Sequence, residues 1–83
     1  MEDWLRQAEN TLRTFYGEHV GNPGDLAIFR SRGDHACEIL RNDGSRTVID
    51  RKIIETFEQD SRTRALLIKK LKNFSFPPLN WIV

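Results

Sequence analysis

Leu26-Ala27-Ile28-Phe29-Arg30-Ser31, Arg32-Gly33-Asp34, His35-Ala36-Cys37-Glu38-Ile39-Leu40-Arg41, Asn42-Asp43-Gly44-Ser45 and Arg46-Thr47-Val48-Ile49 run on without a break, and their reading decides the fold. In the first run Leu26 and Ile28 share one face and Ala27 and Phe29 the other, the period-2 spacing of a strand. Two clusters of turn formers separate the three apolar runs, so the stretch predicts a meander of three antiparallel strands over 26–31, 35–41 and 46–49. Arg30, Glu38, Arg41 and Arg46 are expected to charge its edges and discourage pairing with other sheets.

On the N-terminal side, Trp4, Leu5, Ala8, Leu12, Phe15 and Tyr16 recur at helical spacing, with Arg6, Gln7, Glu9, Asn10, Arg13 and Thr14 on the opposite side. Asp3 suits the start of this helix and Gly17 its end, which predicts a helix over 4–16. Gly21-Asn22-Pro23-Gly24-Asp25 then reads as a loop. On the C-terminal side, Ile53, Ile54 and Phe57 form a short helical stripe that Asp50 could cap. Asp60 or Ser61 opens a further helix reaching about Asn73. In that last helix Leu67, Ile68, Leu71 and Phe74 gather on one side, and Arg62, Lys69, Lys70 and Lys72 spread over the other. The prolines Pro77 and Pro78 end helical structure, so 74–83 is expected to be an extended tail. The fold class is therefore α+β: an N-terminal helix, a three-stranded antiparallel meander, two C-terminal helices and the tail, forming one domain over 1–83.

At 39% apolar and 30% charged residues, the chain has the composition of a globular domain and not of a disordered one. The one cysteine, Cys37, excludes an internal disulfide. Met1-Glu2-Asp3-Trp4 places acids where a secretory signal would carry bases, and the longest apolar run, 65–68, is far shorter than a membrane helix, so a cytoplasmic protein without membrane association is expected.

Charge is distributed unevenly. Residues 1–60 hold twelve acids against eight bases, whereas 61–83 hold five bases and no acid. A local positive potential on a nearly neutral chain can steer an acidic protein surface or a nucleic acid. Phe74, Phe76, Leu79, Trp81, Ile82 and Val83 add six apolar residues to the final ten. Two roles suit them: closing a core that so short a chain barely fills, or an exposed docking strip anchored by Trp81. Trp81-Ile82-Val83 also resembles the C-terminal peptides that PDZ domains capture by strand addition.

The element order is similar to that of the double-stranded-RNA-binding domain, a resemblance that implies shape and phosphate recognition. The chain departs from that pattern in two ways: Lys69 and Lys70 stand near the end of their helix and not at its start, and an extra helix intervenes. Arg32-Gly33-Asp34 resembles the integrin-recognition signal, but without a secretory context it reads as a hairpin turn.

Reactive groupings are sparse. His35 and Cys37 would share a strand face with about 6.6 Å of rise between them, too far for direct nucleophile-to-base contact. Cys37 reads as a small core residue. His19, His35 and Cys37 have no metal-ligand spacing. Asp34, Asp43 and Asp50 fall at turns and caps, and Glu55 and Glu58 on an exposed helical face. The sequence therefore predicts no enzyme, no cofactor and no metal. It predicts a small binding or regulatory protein, a monomer or weak homodimer, that docks on a larger protein through Arg62, Lys69, Lys70, Lys72 and Trp81. Nucleic-acid binding through the basic helix over 62–72 is the alternative.

Overall fold

A computed structural model describes residues 3–76, in the order α1 (Asp3–His19), a 3-10 turn (Pro23–Asp25), β1 (Leu26–Ser31), β2 (Ala36–Arg41), β3 (Arg46–Asp50), α2 (Arg51–Thr56) and α3 (Ser61–Lys72). The strands form one antiparallel sheet in the order β1-β2-β3, as the meander requires. Helices cover one face only, α1 over β1 and α3 over β3, giving a two-layer α+β domain.

Register explains which strand residues the helices bury. Phe29 is opposite Ile39, and Cys37 is opposite Ile49. These four side chains point toward the helices, where Cys37, Ile39 and Ile49 are fully buried together with Leu12, Leu67 and Leu71. Each fully buried leucine or isoleucine side chain contributes about 2 kcal/mol of apolar transfer.

Several boundaries differ from the expected ones. Helix α1 does not stop at Gly17. It runs to His19, and the amides of Val20 and Gly21 both donate to the Tyr16 carbonyl, at 2.9 Å each. Gly17 has another use: a Cβ there would lie 3.3 Å from the Pro23 ring, so the loop packs where a side chain would stand. Asp3 lies within the first turn of α1. His35 lies outside β2, in the turn, and its carbonyl accepts from the Arg51 amide at 2.7 Å. Asp50 occupies the N-cap position of α2 but makes no side-chain cap bond there. At α3, Asp60 and not Ser61 is the cap.

Glu38 is the larger correction. It does not charge an edge, because β2 is the central strand, and it is only 3% exposed. Its Oε2 accepts from Arg46 at 3.2 Å and lies 3.7 Å from Arg32. A carboxylate removed from water in this way is held by the two guanidinium groups that close over it.

After α3 the chain returns to the sheet. Ser75 and Arg46 exchange two backbone hydrogen bonds, of 2.9 and 3.0 Å, on the side of β3 away from β2. The prolines, the rest of the expected tail and Trp81 lie outside the described residues. Among the described residues, no helix is long and apolar enough to cross a membrane.

Candidate functional site: the basic face of α3

Asp60 sets where α3 begins. Its Oδ1 accepts from the Arg62 amide at 3.0 Å, and its Oδ2 accepts from the Thr63 hydroxyl at 2.9 Å. Those bonds favour the ionised form and hold the Asp60 carboxyl below its ordinary value. The cap fixes the phase of the helix, so Leu67 and Leu71 point into the core and residues at 62, 66 and 69 point away from it.

Arg62, Lys69 and Lys72 are exposed, as their spacing predicts, whereas Lys70 is half-buried at the flank of the helix. None of the four makes an ion pair or a side-chain hydrogen bond among the described residues. The basic end of α3 complements the partial negative charge of its last turn, and that alone accounts for part of the lysine enrichment. It does not account for Leu66, which stands between Arg62 and Lys69 on the outer face and is 43% exposed. The sequence reading placed Leu66 neither in the apolar cluster of this helix nor on its basic face. The signal was available, since a residue at position 66 cannot share a face with both 67 and 71 on a helix.

A second charged surface lies on the open face of the sheet. Ile28, Arg30, Glu38, Arg46 and Val48 all point away from the helices, and Ile28 and Val48 are 44% and 37% exposed. Arg30 has no ion-pair partner among the described residues. The alternation Ile28-x-Arg30-x-Arg32 was visible in the sequence, but which face it occupied depended on the register of β1 with β2.

Cys37 and His35 do not form a reactive pair. The His35 side chain is 78% exposed. Cys37 is fully buried, with Sγ 3.9 Å from the Glu38 carbonyl. Burial, reinforced by the carboxylates of Glu9 and Glu38, pushes its thiol up to about 12. No group of three or more His, Cys, Asp or Glu among the described residues is arranged to hold a metal ion.

The chain matches no protein-family model and shows no significant similarity to curated proteins or to solved structures.

Proposed function

We propose that this is a non-enzymatic docking protein of the cytoplasm that binds an acidic surface of a larger protein through the outer face of α3. The observation that carries the proposal is Leu66, exposed on the same face as Arg62 and Lys69, which make no ion pair among the described residues. Cations draw a partner in and set its orientation, while an exposed apolar side chain adds contact area that a phosphate backbone would not use. The protein acts as a monomer or weak homodimer, and Trp81 belongs to the same C-terminal region and would extend the apolar contact. The single cysteine, which needs no disulfide partner, is compatible with a reducing compartment.

Nucleic acid is the second reading, supported by the same cations: Arg62 and Lys69 lie about 10 Å apart along the helix, within reach of a phosphate backbone. Affinity capture from the source cells, with and without nuclease, separates the two. The proposal expects a protein that is retained after nuclease treatment, lost with R62E/K69E and lost with Leu66→Asp. Loss on nuclease treatment favours the nucleic-acid reading, and equal capture by wild type and both variants removes α3 as the site.

A further inference from the structure

The sheet has an open side at β1. In antiparallel pairing, alternate residues turn their backbone groups toward the neighbour and away from it. The Arg32 amide donates to the Ala36 carbonyl at 2.8 Å, and Arg30 is opposite Glu38. Arg32, Arg30 and Ile28 therefore direct their N–H and C=O groups at β2. Phe29 and Ser31 direct theirs outward, and no backbone partner meets them there among the described residues. Nearer the start of the strand, that side is occupied: Arg13 donates to the Leu26 carbonyl at 2.8 Å.

Exposed edges are commonly guarded by charge or by bulges, and β1 has both, with a register irregularity at Ala27 between Leu26 and Ile28. The kind of guard is informative. A second copy paired antiparallel through Phe29 and Ser31 places Arg30 directly against Arg30 of that copy. Centring the pairing on Ser31 sets Arg30 against Arg32. Only centring on Phe29 avoids this, and it opposes Ser31 to the bulged Ala27. Like charges directly opposed destabilise a strand pair. The edge therefore disfavours itself while leaving four backbone groups and the Arg30 guanidinium, without partners among the described residues, for a strand of opposite charge.

We propose that β1 accepts an extended acidic segment of another protein as an added antiparallel strand. Its carboxylates lie opposite Arg32 and Arg30 and an aliphatic side chain lies opposite Ile28, while Phe29 and Ser31 supply the main-chain hydrogen bonds. This site is separate from the α3 face and does not rest on it.

The test uses the full chain, isotope-labelled for NMR, and the blocked peptide Thr-Glu-Thr-Glu-Thr-Val-Thr, with a control in which lysine replaces both glutamates. The expected result is saturable binding of the glutamate peptide at low salt, with none of the lysine peptide. The amide protons of Phe29 and Ser31 should move downfield while those of Arg30 and of α3 stay in place. R30Q/R32Q should weaken binding about fivefold or more. Ser31→Pro should abolish binding and keep the melting temperature, because it removes an outward N–H and spares the ladder to β2. Equal binding of the two peptides, no binding of either, shifts confined to α3, or a dimer in sedimentation that pairs β1 with itself would each overturn the proposal. The lysine control on wild type decides the matter even if the arginine variant fails to fold.

Discussion

Cys37 shows how far a single position can be taken. Its side chain faces the helices from near the start of the central strand, fully out of water, and ionising it there would strand a charge next to the Glu9 and Glu38 carboxylates. The ordinary thiol value of 9.0 applies to the unfolded chain and a value of about 12 to the native one. Stability from this raised value is fully present below pH 9 and is lost as pH climbs from 9 toward 12, because only the unfolded thiol ionises in that window. A disulfide reagent at pH 8 should leave Cys37 unmodified in native buffer and label it once urea unfolds the chain. Rapid native labelling would contradict the burial. Comparing melting temperatures of wild type and Cys37→Ala from pH 8 to 11 should show an extra alkaline loss in wild type alone.

Between elements, Arg13 acts as a staple from α1 to β1. Its Nε pairs with Glu9 one turn earlier at 3.0 Å, its Nη1 donates to the carbonyls of Leu26 and Pro23 at 2.8 and 3.2 Å, and its guanidinium lies 5.0 Å from the centre of the Phe29 ring. One planar group therefore ties helix, loop and strand together. Arg13→Ala should destabilise the fold by about 1–2 kcal/mol, and Arg13→Lys should recover little, because an ammonium cannot fork to these acceptors. Urea unfolding midpoints of the three proteins check this. From sequence, Arg13 was only a polar residue on the outer side of α1. Helical spacing gave the element but not the neighbour that its side chain would reach. The order of elements was legible because turn clusters and apolar periods punctuate the chain clearly. What stayed hidden depended on packing: the burial of Glu38 needed the position of β2 in the sheet, and α1 runs on to His19 past Gly17, the glycine that looked like its end. The basic residues of α3 were legible as a group for the same local reason, and the half-burial of Lys70 was not.

Across the whole molecule, the two exposed charged surfaces differ in the atoms they offer. The α3 face presents side chains alone, whereas β1 presents main chain flanked by arginines, so only the latter demands a particular conformation of what binds it. Both follow from placing all the helices on one face of a three-stranded sheet. That arrangement leaves the back of the sheet, with Ile28 and Val48, and one strand side without cover among the described residues.

The pair of hydrogen bonds between Ser75 and Arg46 bears on the order in which the chain assembles. The two hairpins join residues close in sequence and need little chain closure, whereas Ser75 can reach β3 only after α2 and α3 have docked and brought it there. A contact formed last on the way in is the first to part on the way out, so the molecule should open from this seam inward. Native-state hydrogen exchange should show the Ser75 and Arg46 amides trading with solvent through a small local opening, well before the Cys37 and Ile39 amides, which wait for unfolding of the whole sheet.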